Sequence, residues 1–527
     1  MKSWIVPTLA AFSLGLALLP LAFFIGDDGA YYARVGASIV AGQGISANPG
    51  EPYLIHPPFY PLLIGLFNLL FKNLEFSAHW VSILAFALTA IPLVRLAEEI
   101  YSKDTARWTG LLYATNGFLL ASSNLVMADT LFTFLIVTQL YLVHRIIQEE
   151  NEDRRNGFLV GMVSGLAFLA RPEGFVIYLV SVFALLFLSP KSPALRFRPF
   201  LFSLLAFLVF FLPYIRFVYQ QSHRFQLSQG ITEILIKREM DITSPDPEKY
   251  FEIKKIREGL TEDKTRFEMD ELVKNFSLPK LLAKDRFRLL RSVPGSAVWR
   301  FLELNRYLFT GFGLFLIGAS WFGAPWNGRR KKSELLLLLF LSTFSLKLLS
   351  QFLPRYFYHY FPIFLLWMGN GIETFRNWGR ASFRWSPQLS KGWALGICLM
   401  LVLPSGWYLR RVLIEYPMPF EYKELGRWMK QNLPGMESEG VLSRQPAVSF
   451  YSGARILKLP YVDRIEDLRA YMGHQHAHYF VVSDDLDRPF LDAYRFLLDE
   501  TRPAPQGLAR IHTVKGARKL ILYRVAG

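Results

Sequence analysis

Residues 4–34 read WIVPTLAAFSLGLALLPLAFFIGDDGAYYAR. Trp4 to Ile25 is an apolar run of the ~20-residue length that a helix needs to cross a hydrocarbon core. It ends on two adjacent carboxylates, Asp27 and Asp28. Ionisable groups at the mouth of a membrane helix cost free energy and mark functional sites. A plainer reading makes one of them the cap of a helix starting near Ala30, since Asp is a favoured N-cap. One cap needs one Asp, and here there are two. Lys2 precedes the run, and no small-residue cleavage pattern stands before Asp27, so the run reads as a retained anchor that starts in the cytoplasm.

Further apolar segments follow near Ala78–Leu96, Thr105–Ser122, Met127–Ile147, Gly157–Ala170, Gly174–Leu188, Phe200–Val218, Phe301–Gly323, Ser333–Ser350, Tyr356–Gly371 and Gly392–Leu409. Bases cluster in alternate connections: Arg95, Lys103 and Arg107; Arg145, Arg154 and Arg155; Lys191, Arg196 and Arg198; Arg329 to Lys332; and Arg376, Arg380, Arg384 and Lys391. The positive-inside rule puts all five groups in the cytoplasm. Leu54–Phe71 is apolar too, but it contains three prolines. Were it to span, every later basic cluster would lie outside, so it reads as an interfacial helix on the outer face. A polytopic α-helical membrane protein is expected, with about eleven transmembrane helices plus that outer-face interfacial helix. It belongs in the plasma (inner) membrane, N-terminus cytoplasmic. The net charge of +16 sits largely in short loops, where orientation and lipid contact account for it. No zinc-finger spacing or basic helix with stacking aromatics is present, which excludes nucleic acid. The single cysteine, Cys398, lies in an apolar run and allows no intrachain disulfide.

This topology collects a set of polar groups at the outer face. Asp27, Asp28 and His56 are joined by Asp129 at the start of a span, by Arg171-Pro172-Glu173-Gly174 between two short spans, and by Arg355-Tyr356 before a late one. Carboxylates and cations at one membrane depth suit an anionic ligand and an acid/base reaction. Snorkelling Arg and an aromatic belt are the alternative for Arg355 and Tyr356. It is weaker for Arg171, which interrupts an otherwise apolar stretch.

Two large outer segments complete the chain. Tyr219–Arg300 is highly charged and longer than an ordinary loop, as a lid or a solvated charge run would be. From Glu415 the pattern changes to a small extracytoplasmic α/β domain. Its strand-like runs are Gly440–Ser443, Arg455–Leu459, Tyr479–Ser483, Leu508–Val514 and Lys519–Val525, with helical patterns at Arg464–Met472 and Asp487–Asp499. A closing hairpin turns at Lys515-Gly516-Ala517. The expected division is a catalytic membrane domain over 1–411, including loops 26–75 and 219–300, and the α/β domain over 412–527. His474, His476 and His478 alternate as on one strand face, a compositional hint of metal that lacks Cys or acidic partners. No phosphate-cradling glycine loop, nucleophile elbow or His-Glu-x-x-His is found.

These motifs, in this order, resemble the GT-C class of integral membrane glycosyltransferases, which use polyprenyl-phosphate sugar donors. The likeness is to relatives of protein O-mannosyltransferases and the lipid A aminoarabinose transferase. It rests on Asp27-Asp28 closing the first span, His56-Pro57-Pro58 opening an outer helix, Asp129, the Arg171–Gly174 hairpin, Arg355-Tyr356, and Leu425-Gly426-Arg427-Trp428 with Asn432-Leu433-Pro434-Gly435 in the tail. The pair is Asp-Asp where several members have Asp-Glu, and Tyr219–Arg300 has no counterpart. The resemblance implies a glycosyltransferase taking a sugar from a polyprenyl-phosphate donor to an extracytoplasmic acceptor: a glycolipid, a polysaccharide or a protein hydroxyl. Asp27 is then the base and Asp28 holds acceptor or a divalent metal. His56, Arg171 and Arg355 stand near the donor phosphate, and Asp129, Glu173 and Tyr356 complete the substrate-binding set. A secondary transporter or lipid flippase is the alternative, but it calls for an internal repeat and mid-membrane charges that are not seen. A non-catalytic receptor, with the aspartates as caps, is the other.

Overall fold

Away from water a backbone must satisfy its own N–H and C=O groups, so the apolar stretches become helices. The computed structural model describes residues 2–148, 153–189, 192–230, 310–345, 354–415, 418–460, 465–486 and 494–525. These divide into two compact units: 2–23, 54–230 and 310–415 form one, 24–53 and 418–525 the other.

The first unit is helical: α1 (Ile5–Ala22), α3 (Phe59–Phe71), α4 (Leu74–Ile100), α5 (Lys103–Thr115), α6 (Gly117–Ser123), α7 (Asp129–Gln148), α8 (Asp153–Ala170), α9 (Gly174–Phe187), α10 (Pro193–Ser222), α11 (Thr310–Phe322), α12 (Gly328–Ser342), α13 (Phe361–Phe383) and α14 (Pro387–Arg410). Among the described residues, five helices are long and apolar enough to cross a membrane: α1, α4, α7, α10 and the one that begins at Pro387. Helix α3 starts only after Pro57-Pro58, whose rings set φ and remove donors. It buries Tyr60, Pro61 and Ile64 while Leu66, Leu69 and Leu70 stay exposed.

One stripe fixes where the α8–α9 hairpin sits. Gly157, Gly161 and Gly165 recur every four residues along α8. A Cβ on any of them would strike α10, at Pro199, Ser203 and Phe210 respectively. Small residues at this spacing let two helix backbones approach closely.

Three expectations change. Thr105–Ser122 is not one span: Asn116 adopts an extended conformation and its Oδ1 accepts from Leu119 N at 3.1 Å, ending α5 and starting α6. The late span expected at Tyr356–Gly371 begins at Phe361, after a 3-10 turn over Pro354–Phe357, and runs on to Phe383. Finally, two of the bases assigned to cytoplasmic loops are buried. Arg376, inside α13, donates to Asp104 Oδ2 at 2.6 Å and Glu373 Oε1 at 2.9 Å. Arg330, in the first turn of α12, opposes the helix dipole. It meets buried Glu334 one turn on at 3.2 Å, and Glu334 also accepts from Tyr101 Oη at 2.6 Å and Trp367 Nε1 at 2.8 Å. A buried carboxylate is tolerable with that many donors. The charged segment expected at Tyr219–Arg300 lies outside the described residues beyond 230, as do the start of Phe301–Gly323 and the end of Ser333–Ser350.

The second unit holds α2 (Asp27–Val40), the short strands β1 (Ser46–Asn48) and β2 (Glu51–Pro52), α15 (Phe420–Asn432) and a five-stranded sheet. The sheet strands are β3 (Gly440–Ser443), β4 (Arg455–Lys458), β5 (Ala477–Ser483), β6 (Leu508–Lys515) and β7 (Lys519–Val525), in spatial order β4-β3-β5-β7-β6. Helices α16 (Ala447–Ser452) and α17 (Ile465–His474) connect the parallel strands β3, β4 and β5. Parallel neighbours need such crossovers. β7 returns antiparallel between β5 and β6, with Lys515 opposite Lys519 at the hairpin. Leu442, Phe480, Val482, Ile521 and Tyr523 share the core of this unit.

The edge of β4 is covered by a side chain. Asn48 Oδ1 accepts from Ile456 N at 2.9 Å while its Nδ2 donates to Ile456 O at 3.1 Å. One amide thus satisfies both backbone groups of an edge residue.

Candidate functional site

In the first unit, α7 opens at Asp129, where the positive end of the helix dipole favours a carboxylate. Helix α8 stops at Ala170 because Pro172 restricts the residue before it to non-helical backbone. The turn closes with Gly174 N donating to Arg171 O at 2.9 Å and Phe175 N to Pro172 O at 3.1 Å. Gly174 is required by proximity: a Cβ there would lie 2.6 Å from Phe168 N and 2.7 Å from the Ala167 carbonyl carbon.

This turn aims Arg171 at two carboxylates. Its Nη1 donates to Asp129 Oδ1 and its Nη2 to Glu173 Oε1 at 2.9 Å, with Nε 3.4 Å from Glu173 Oε2. Its guanidinium carbon lies 5.5 Å from the centre of the Tyr356 ring and 5.9 Å from that of Phe132. Arg355 lies 5.6 Å from the same Tyr356 ring and 3.8 Å, through Nη1, from Met127 Sδ. Asp129 is buried, and its Oδ2 has no hydrogen-bond partner among the described residues. The triad Asp129–Arg171–Glu173 carries a net −1, which Arg355 offsets across one aromatic ring. Arg171 is thus oriented by two carboxylates, whereas Arg355 lies against an aromatic ring and a thioether.

Asp129, Arg171, Glu173, Arg355 and Tyr356 are therefore joined by direct contacts. His56 is half-buried in the stretch before α3, where Leu54 O accepts from Gln229 N at 3.0 Å. Two neighbours were not singled out by the sequence reading: Phe132, and His359 packed edge-on against it at 5.0 Å. Phe132 follows Asp129 by three residues and so shares its helical face, a signal the sequence does carry.

Asp27 and Asp28 belong to the second unit. Neither acts as the N-cap of a helix near Ala30. The helix begins at Asp27 itself, its N-cap is extended Gly26, and Gly29 N donates to Gly26 O at 2.9 Å. Both carboxylates thus sit in the first turn, favoured by the helix dipole. Asp27 has φ +43°, a conformation uncommon outside glycine and most tolerated by Asn and Asp. From Asp28, steps of three lead to Tyr31 and Arg34. Burial and the Asp28 charge push the Tyr31 phenol up to about 12. Burial lowers Arg34 to about 10, so it stays charged at neutral pH. Tyr31 stacks on Tyr53 at 5.6 Å.

The histidine tract does not line one strand face. His474 ends α17, His476 has φ +48°, and only His478 lies in β5, where Nδ1 is 2.9 Å from Glu439 Oε2. A helix end and a left-handed residue break the period-2 alternation that a shared face needs. Among the described residues no three His, Cys, Asp or Glu side chains gather as a metal-binding group.

Residues 55–217 match the family model described as dolichyl-phosphate-mannose-protein mannosyltransferase. The matched stretch takes in His56, Asp129 and the Arg171–Gly174 turn. The apo crystal structure of the Archaeoglobus fulgidus oligosaccharyltransferase shares the fold with a TM-score of 0.60 at 15% identity, over 91% of this chain and 69% of that one. ArnT from Cupriavidus metallidurans bound to undecaprenyl phosphate gives 0.58 at 16% identity, over 99% and 98%. The Archaeoglobus fulgidus oligosaccharyltransferase AglB, in complex with an inhibitory peptide and a dolichol-phosphate, gives 0.54 at 13%, over 89% and 69%. Among curated proteins none matches the chain in sequence. The resemblance carried by the order of the motifs, to the GT-C class, is borne out.

Proposed function

We propose that this chain, a membrane glycosyltransferase of the GT-C kind, moves a sugar from a polyprenyl-phosphate donor to an acceptor hydroxyl on the outer side of the plasma membrane. The observation that carries the reading is the family match over 55–217, because that stretch also holds the Asp129–Arg171–Glu173 triad. Likeness to ArnT along nearly the whole of both chains supports it, since that ArnT holds undecaprenyl phosphate.

The chemistry divides among the residues as follows. Asp27 accepts the proton of the acceptor hydroxyl as its oxygen bonds to the anomeric carbon. The bond from that carbon to the phosphate oxygen breaks, and its electron pair leaves with polyprenyl phosphate. Arg355 and Arg171, with His56, face the phosphate charge that grows in this step. Asp28 holds the acceptor, and Asp129, Glu173 and Tyr356 keep the arginines in register. Direct attack of this kind inverts the anomeric centre. The acceptor is a glycolipid, a polysaccharide or a protein hydroxyl.

Purified protein incubated with a panel of polyprenyl-phosphate sugars and candidate acceptors tests the reading. Release of polyprenyl phosphate is expected from at least one donor. Background release from every donor, in protein that remains folded, overturns it.

The orientation is tested separately. Single cysteines replacing exposed Gln43 or Ser438 are expected to react with a membrane-impermeant thiol reagent in intact cells, and one replacing exposed Asn377 is not. Cys398, buried as it is, is first changed to Ser. Labelling at 377 alone reverses the orientation.

A further inference from the structure

Asp27 is held in a left-handed conformation that a non-glycine residue adopts only when its surroundings impose it. The backbone on either side of it is fastened to the tail. Two residues before Asp27, the buried N–H of Ile25 donates to Tyr451 Oη at 2.8 Å. The ring of Phe24 packs against Tyr451 and Phe420, each 6.1 Å away centre to centre. On the far side of the pair, Arg34 Nη2 donates to Ser449 O at 2.5 Å. Farther on, Asn48 engages Ile456. The acidic pair is therefore bracketed by hydrogen-bond anchors within residues 449–456, on α16 and β4, with Phe420 of α15 packed beside them. The Tyr451 ring is itself steadied by Lys423 and Arg427 of α15, whose charged ends lie 5.3 and 5.9 Å from its centre.

We infer that Tyr451 is a positioning residue for the transfer reaction: its hydroxyl fixes the Ile25–Gly26 backbone and so the direction of the Asp27 carboxylate. The inference rests on Asp27 being the base. It gives the α/β tail a share in the chemistry through a single oxygen atom. It also explains the small residue between the anchor and the pair, since a Cβ on Gly26 would come 2.6 Å from the Phe24 ring and push the same segment away.

Tyr451→Phe keeps the ring and removes only the acceptor oxygen. With the purified full-length protein and one active polyprenyl-phosphate donor, kcat is expected to fall about tenfold, the scale on which a slight misplacement of a reacting group acts. KM for the donor stays within about twofold, because the loss falls on the chemical step. The acid limb of the kcat–pH profile is expected to move, since the carboxylate that must ionise has new surroundings. A purely structural role lowers the yield of folded protein and moves neither kcat per folded molecule nor that limb. Wild-type kcat and an unmoved limb in Tyr451→Phe overturn the inference. If that variant does not fold, Gly26→Ala displaces the same segment from its other side and is expected to give the same kcat loss; unchanged kcat there overturns it equally. Asp27→Asn in parallel separates the two readings. Full activity in Asp27→Asn removes the base assignment and this inference with it, whereas a dead Asp27→Asn beside a normal Tyr451→Phe removes the inference alone.

Discussion

Asp27→Asn is expected to reduce transfer by about 10²- to 10⁴-fold, the range that a positioned general base contributes. The variant is well suited to the question because the fold should hardly notice it. Asp27 has φ +43°, and Asn tolerates left-handed backbone at least as well as Asp. Gly26, not Asp27, is the N-cap of α2, so no side-chain cap at this end is lost. The negative charge lost from the first helical turn is worth about 0.3–1 kcal/mol against the dipole. Thermal unfolding in detergent should therefore move by a few degrees at most while turnover collapses. Transfer within a few-fold of wild type means that another group takes the proton.

Arg171→Met should produce the largest loss of stability. The substitution keeps an apolar stem but leaves buried Asp129 with no cation, and Glu173 with no fork to bind. Removing one partner of a buried pair costs about 3–5 kcal/mol. Snorkelling at a headgroup boundary, the alternative for this residue, predicts almost no cost. Thermal unfolding separates the two. Adding Asp129→Asn to Arg171→Met should recover part of the loss, because no carboxylate is then stranded at position 129. Arg171→Lys should fall between, since a point charge cannot serve two carboxylates as a planar fork does. The same variant reads the role in chemistry. Lowered kcat per folded molecule assigns Arg171 to the phosphate, and normal kcat leaves it the organiser of Asp129 and Glu173.

Much of this cluster was legible in the primary sequence. Arg171-Pro172-Glu173-Gly174 interrupts an apolar stretch, and each residue there has a local reason: Pro172 to stop a helix, Gly174 to pass the Phe168 backbone, and Arg171 and Glu173 close enough in sequence to pair. Asp129 shows itself as a charge opening a span. Their meeting is a different matter, because Asp129 and Arg171 are 42 residues apart and nothing local announces the bond. Hydropathy also misassigned Arg330 and Arg376. A base near a span end reads as a loop charge, and only the arrival of Glu334, or of Asp104 and Glu373, makes burial affordable.

The sequence by itself determined what is local. It placed most of the apolar helices, though not the break at Asn116 or the ends of α13, because a run of side chains that water rejects must form its own hydrogen bonds. It placed the five strands of the tail to within two residues, because alternation and turn residues act over a few positions. Tertiary structure alone decided which surfaces those elements meet. Sequence places Asp27 at the end of the first apolar run. In the fold, the chain that carries it is fastened to a tail more than four hundred residues away, through Ile25 to Tyr451 and Asn48 to Ile456. β7 entered between β5 and β6 although β6 precedes it in the chain. The physical reason is the same in each case. A buried N–H needs an acceptor and an edge strand needs a cover, but any hydroxyl or amide of the right reach will serve, and which one does so is settled only when the whole chain packs.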